Sequence, residues 1–258
     1  MSQEFSGKGD PLKLMQLLWG KVQAPRRGPK PKVSLNELVT SAIAIADAEG
    51  IDAVSTRKVA EAVGISPMSF YTHVPSIAEL RDLMLDQVLA ECTEPPEGWE
   101  NMNWHQRLTY IAENLWQHYM RHTWVVEMET HRPVMGPNTL ASYELALSAV
   151  DGLGLDEIEM DLTVTSLHNY VLGAVRHAAR EQAVWKDTGM SDTEWWYTIA
   201  PFMETLDFSP YPVSSRVGPI AGEAYGVGDP LRAFKFGLER FLDGMTLLIE
   251  RKQGAPDQ

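Results

Sequence analysis

Residues 59–74 read VAEAVGISPMSFYTHV. Two short apolar patterns are cut by Gly64, and the second opens with Ser66 and Pro67. Serine is a good helix N-cap, and proline is tolerated at the first helical position because its missing N–H has no partner there anyway. The pattern predicts a helix from Ser55 or Thr56 to Val63, a glycine-containing turn, and a second short helix capped by Ser66 and stopped by Pro75. Val59, Ala60, Val63, Ile65, Phe70 and Val74 are the interior anchors. Ser69, Tyr71, Thr72 and His73 are then left on a short helix with no core to enter. A helix–turn–helix that reads nucleic acid has this form, because a major groove admits one helix and presents donors, acceptors and thymine methyls. The four polar side chains suit base edges, and Met68 suits a methyl. A generic three-helix bundle gives the same pattern.

The flanks add to it. SLNE at 34–37 is an S-x-x-E capping box, with Ser34 as N-cap and Glu37 answering it. Leu35, Leu38, Val39, Ala42, Ile43 and Ala46 follow the helical period, and Gly50 supplies the stop. A second box, SIAE at 76–79, opens a further helix with the stripe Leu80, Leu83, Met84 and Val88. Thr56 and Arg57 stand at a helix start, where free N–H groups and the helix dipole favour a phosphate. Ahead of all this, residues 21–32 (KVQAPRRGPKPK) carry five positive charges and no acid. Prolines and a glycine keep 24–32 out of a helix, so Arg26, Arg27, Lys30 and Lys32 form a basic arm suited to a DNA backbone or minor groove.

Charge is unevenly spread over the 258 residues, whose net charge is −13. Residues 1–91 hold 10 Lys+Arg against 11 Asp+Glu, net −1, and the remainder is net −12. An anionic partner is therefore expected at one end only. At 44% hydrophobic the chain can bury a sizeable core. Its single cysteine, Cys92, excludes an internal disulfide and fits a reducing compartment. No apolar run reaches the roughly 18 residues of a membrane span, and MSQEFSGKGD has no signal-peptide core. A cytoplasmic protein without membrane contact is expected.

EPPEGW at 94–99 breaks the chain, and helical patterns resume over about 103–123, 138–151, 156–185, 191–205 and 229–252. Residues 206–228, rich in Pro, Gly and Ser, read as a loop, and PLKLMQLLWG at 11–20 as a short amphipathic helix. No strand alternation or repeat is evident. The expected fold class is all-α. An N-terminal extension with a short helix and basic arm fills 1–32. A three-helix helix-turn-helix domain follows over 33–80, then a larger helical effector-binding and dimerisation domain over 81–258.

Residues 34–91 resemble the N-terminal domain of the TetR family of bacterial transcriptional repressors. The stretches that carry the likeness are ADAEGIDAVS, TRKVAEAVGIS and SFYTHVPSIAELRDLML. TRK-A and the FY-HV of the second short helix are most similar to the tetracycline-repressor branch, and 104–177 and 229–252 share its layout. The resemblance implies a homodimer that binds a palindromic operator in double-stranded DNA and is released when a small-molecule effector moves the helix that starts near Ser76. It also implies that Thr56, Arg57, Ser66, Met68, Ser69, Tyr71, Thr72 and His73 face DNA. One departure is Ile77, where the family often has a phosphate-binding Lys. Helices 156–185 and 229–252 would pair across the dimer. Leu162, Leu167, Val171 and Val175 form the stripe on one; Phe234, Leu238, Phe241, Leu242, Met245 and Leu248 form that on the other. Burial within one subunit is the alternative.

The tetracycline branch chelates Mg²⁺ with its drug. The corresponding places here hold Met128 and His177, and there is a further difference near His131, so no metal, no cofactor and a different effector are expected. Candidate pocket residues are Tyr110, Asn114, Trp116 and His118 on the 103–123 helix, with Met128, His131 and Tyr143 after it. On the long helix they are His168, Asn169, Arg176 and His177. Pockets are mostly apolar with a few placed polar groups, which this set matches. His118 and His122 have the i, i+4 spacing of a metal pair but lack an evident third ligand. The competing readings are an activator of the same family, a small-molecule carrier, or a helical enzyme. For the enzyme there is no nucleophile–base pairing or phosphate loop, so none is expected.

Overall fold

The computed structural model describes residues 10–21, 33–128 and 132–254. Among these residues there are helices and turns but no strand. Helix α1 (Pro11–Leu18) is followed by α2 (Leu35–Glu49), α3 (Thr56–Ala62), α4 (Pro67–Phe70) and α5 (Ile77–Val88). Then come α6 (Trp104–Arg121), α7 (Val125–Met128), α8 (Pro137–Ser148) and α9 (Glu157–Thr188). The chain closes with α10 (Asp192–Met203), α11 (Pro212–Tyr225) and α12 (Pro230–Gly254).

The first capping box forms as read. Ser34 N donates to Glu37 Oε2 at 2.7 Å, and Glu37 N donates to Ser34 Oγ at 3.2 Å. The second forms only in part: Ser76 Oγ donates to one carboxylate oxygen of Glu79, and the other is left for a tertiary donor. Ser76 Oγ takes Ala78 N, and Glu79 turns its buried carboxylate to Asp10 N, 3.1 Å away in the residue that caps α1. Glu79 thus joins a local donor and a tertiary one. Helix α1 packs on α5 with Leu14, Leu17 and Leu18 half-buried.

Gly64 has φ +71°, the left-handed turn that lets α4 double back on α3. The second short helix is shorter than its pattern predicted. It is regular only over Pro67–Phe70, and 71–73 continue as a tightened turn, with Thr72 N on Ser69 O and His73 N on Phe70 O. Pro75 forces Val74 out of helical geometry, so the chain cannot run on.

Val59, Ala60, Phe70 and Val74 are fully or almost fully buried against Leu38, Ala42, Leu80 and Met84; Val63 and Ile65 are half-buried. Each fully buried Val, Leu, Phe or Met among them contributes about 1.5–3 kcal/mol by leaving water. This core runs through Val88 and Cys92 into a second layer of α6, α9 and α12. There Trp116 stacks on Phe234 with ring centroids 4.5 Å apart.

Two expectations are corrected. Residues 206–228 are not a loop, since α11 occupies most of them. Pro212 sits in its first turn, where it does no harm, Pro219 removes one interior donor, and Gly226 (φ +70°) ends the helix. The stripes on α9 and α12 are mostly spent within the chain. Leu167, Val171, Val175, Phe234, Leu238, Leu242 and Met245 are buried, whereas Leu162 is exposed. In α10 and α11 no residue is buried.

Candidate nucleic-acid interface and effector region

The surface of α3 and α4 is built outward from its anchors. Phe70 is fully buried and Tyr71, next to it, is 52% exposed; their rings meet edge to face at 5.5 Å. Burying one ring thus aims the other at solvent. Tyr71 OH lies 3.5 Å from Thr56 Oγ1, so the exposed face of α4 and the start of α3 share one side of the molecule. Ser55 caps α3 by accepting from Lys58 N, Arg57 is exposed beside it, and Lys58 is engaged with Glu49. Met68 is 78% exposed.

The hydroxyls on this face have local work. Ser66 Oγ accepts from Ser69 N at 3.2 Å and lies 2.9 Å from Ser69 Oγ, while Thr72 Oγ1 donates to Ser69 O at 2.6 Å. They hold α4 in shape and keep lone pairs free for a donor outside. His73 is half-buried and Thr72 exposed. Arg57, Met68, Tyr71 and Thr72 therefore project freely, and Thr56, Ser66, Ser69 and His73 stand around them. Arg26, Arg27, Lys30 and Lys32 lie outside the described residues.

The effector candidates are more dispersed. Tyr110 and Asn114 line one small cavity of about 10 Å³ with Cys92, Ile111, Leu115, Ser142 and Leu145, about the room one water needs. Cys92 and Ser142 escaped the sequence reading, because their neighbours come from other helices. Burial, with Glu91 second, pushes the Cys92 thiol up to about 12, and burial raises Tyr110 as well. Trp116 and Met128 are core residues. His118 is fully buried with no partner at Nε2; its Nδ1 lies 3.5 Å from Arg121 Nη2 and 3.8 Å from Glu91. Burial first, then His122 at 4.9 Å between rings, lowers its pKa to about 4, so it is a neutral imidazole at pH 7.

His168 is half-buried edge-on to Tyr119, and Arg176 donates to Val126 O at 3.1 Å. Tyr143 is exposed and donates to Asp161 at 2.7 Å, which raises its pKa. Asn169 and His177 are exposed, and His131 lies outside the described residues. Among the described residues no group of three His, Cys, Asp or Glu is arranged to hold a metal. Met128 offers a buried thioether where a hard cation needs oxygen, so the residues do not fit a Mg²⁺ chelate.

Sequence reading also missed two polar joints between the layers. Asp47 on α2 lies 2.7 Å from both Trp124 Nε1 and His122 Nδ1. Asp86 on α5 receives Thr139 N, Thr139 Oγ1 and Asn138 Nδ2 at 2.9, 2.9 and 3.1 Å. The i, i+4 histidines hinted at the first; nothing local marks the second.

The comparisons agree with this geometry. Residues 38–84 match the family model for bacterial regulatory proteins of the tetR family, and 96–249 match the tetracyclin repressor-like C-terminal domain. The chain is 35% identical over 254 residues to the HTH-type transcriptional repressor DrrR1 of Streptomyces coeruleorubidus, covering 98% of this chain and 92% of that one. It is 22% identical to the class E tetracycline repressor protein of Escherichia coli, over 87% of this chain and 96% of that protein. The fold is similar to ActR of Streptomyces coelicolor in complex with actinorhodin, with TM-score 0.67, 23% identity and coverage of 85% and 99%. Among the described residues no helix is long and apolar enough to cross a membrane. The chain belongs to the TetR family of bacterial regulatory proteins.

Proposed function

We propose that this protein is a ligand-responsive, DNA-binding transcriptional repressor, non-enzymatic and cytoplasmic, that acts as a homodimer on a palindromic operator. The observation that carries the reading is the shared face of α3 and α4. Its exposed Met68 and Tyr71 stand beside the α3 N-terminus, on a scaffold whose other side is fully buried. Residues 33–80 serve as the DNA-binding unit, 81–258 as the effector-binding and dimerisation unit, and 1–32 as the extension that supplies the arm. Tyr71, Met68 and Thr72 meet base edges, with His73 and Ser69 behind them. Thr56, Arg57 and Ser66 meet phosphates, and Arg26, Arg27, Lys30 and Lys32 follow the backbone. The effector enters where Tyr110 and Asn114 already line a cavity, enlarges it, and shifts α5 so that the two α4 elements no longer match grooves about 34 Å apart.

Dimerisation is supported by apolar side chains left outside the subunit. Ile158, Leu162, Phe236 and Leu247 are exposed on α9 and α12, as are Tyr197, Phe202 and Ile220 on α10 and α11. A patch of this kind marks an association surface.

The test is selection of duplexes with the purified protein, followed by fluorescence anisotropy on the recovered sequence. A palindrome with half-sites one turn apart is expected. Tyr71→Ala is expected to weaken specific binding by about 1–3 kcal/mol. Arg57→Ala is expected to weaken all sequences alike and to lower the salt dependence. Retention of no duplex at low salt would sink the reading.

A further inference from the structure

Gly136, which precedes α8, offers no side-chain cap, and the helix would begin with orphan N–H groups. The missing acceptor comes from another helix. Asp86, in the last turn of α5 and only 4% exposed, places its carboxylate over the α8 N-terminus and takes Thr139 N, Thr139 Oγ1 and Asn138 Nδ2. A negative charge there also complements the α8 dipole. The fit leaves no slack, because a Cβ at Gly136 would collide with the Asp86 carboxylate. Gly136 has ordinary backbone geometry, with φ −89°, so the requirement for glycine is this close approach. One residue earlier, the Met135 carbonyl accepts from Trp19 Nε1 at 3.1 Å, which ties the end of α1 to the same segment.

The second joint has the same logic. Asp47, near the end of α2, accepts from buried Trp124 Nε1 and pairs with His122 Nδ1, both at 2.7 Å, just beyond α6. Each joint sets one carboxylate from the helices behind the DNA-reading face against two or three donors, from the start of α8 in one and from the turn after α6 in the other. Charged acceptors with several donors are the strong class of hydrogen bond, and their geometry fixes an angle as well as a distance.

We propose that Asp86 and Asp47 are positioning residues for operator binding, acting through the Thr139–Asn138 and Trp124–His122 donors to set the angle at which α2–α5 are held against α6–α9. The proposal rests on the repressor reading above. Neither side chain stands on the α3–α4 face or lines the Tyr110 cavity, yet any effector that moves α6 or the start of α8 must work against one of these joints. Their donors come from residues 52 to 77 positions away in the chain, so the joints close only when both layers are in place.

The test uses the full-length protein with Thr139→Val, Thr139→Ser, Gly136→Ala and Asp47→Asn. Thr139→Val removes one donor and keeps the backbone bond. Gly136→Ala displaces the carboxylate. Operator affinity is read by anisotropy on the duplex selected with the wild type, stability by guanidinium unfolding, and transmission by amide hydrogen exchange. Thr139→Val, Gly136→Ala and Asp47→Asn are expected to weaken operator binding at least fivefold and to change exchange at least threefold across 56–74. Native unfolding remains cooperative, and Thr139→Ser behaves as the wild type. Wild-type affinity in all variants, or exchange changes confined to 122–125 and 137–143, would overturn the proposal. If the wild type retains no duplex, the repressor reading falls, and exchange across 56–74 alone decides whether the joints couple the layers.

Discussion

The front of the molecule, α2–α5, and its rear, α9–α12, differ in how much large apolar surface they leave outside. At the front Phe70, Val59 and Leu80 are fully buried, and the exposed Tyr71 and Met68 occupy one small face. At the rear Phe236 is 62% exposed and Tyr197 73%, with whole helices that bury nothing. One end buries its large apolar side chains within a single chain; the other leaves several of them outside, as the proposed dimer requires. A unit that must reach into a groove needs a rigid, self-sufficient base. A unit that assembles keeps its apolar surface outside until a partner arrives.

The contrast can be broken first at the front. Phe70→Ala is expected to cost about 3–5 kcal/mol of subunit stability in guanidinium unfolding, at any protein concentration, because the site cannot collapse around the lost ring. Between front and rear lies His118. Its folded pKa of about 4 is below the ordinary value near 6.5, so the unfolded chain binds the proton first. Stability from this residue is full above about pH 6.5, is lost as pH falls toward 4, and is level below that. The loss is of order 2–3 kcal/mol. Unfolding midpoints from pH 7 to 4 should fall less steeply in His118→Gln, and an equal slope would refute the assignment.

A smaller effect is expected at the head of α2. Ser34→Ala removes the acceptor for Glu37 N and should cost about 1 kcal/mol, recovered in part by Ser34→Asp. The smallest belongs to the rear. Phe236→Ser and Tyr197→Ser should change single-subunit stability by within about 0.5 kcal/mol, as other exposed sites do. The same variants should abolish the concentration dependence of Tm and shift the sedimentation of the protein toward the monomer. Wild-type assembly in both would show that this rear surface is not an association surface.

Much of the front was legible because its signals are local. A capping serine, a Pro at a helix start, a Gly in a left-handed turn and a 3.6-residue stripe all act within a few positions, and each of them formed at 34–74. The rear was harder. Periodicity identifies an apolar face but not what covers it, so the stripes on α9 and α12 leave intersubunit and intrasubunit packing open, whereas Leu167 and Leu242 are buried in the core of one chain. α11 was hidden by composition, since Pro212 and Pro219 carry the same residue type in positions with different consequences. Glu79 looked like half of a capping box; it keeps the Ser76 hydroxyl but gives its second oxygen to Asp10 N, 69 residues away. Thr139 and Asp86 are 53 residues apart, and no pattern in either segment marks them as partners. The Tyr110–Asn114 cavity was half visible. Two of its residues share a helix and were named; Cys92 and Ser142 arrive from elsewhere.

The Cys92 thiol has a consequence in time. With its pKa raised to about 12, the sulfur on the wall of that cavity is protonated at any pH a cell maintains. Thiolate is the form that attacks electrophiles and oxidants, so a molecule entering there meets a weak S–H dipole and forms no bond it cannot leave. For the proposed effector, such a wall means reversible binding, so the response of the repressor would end when the ligand is gone.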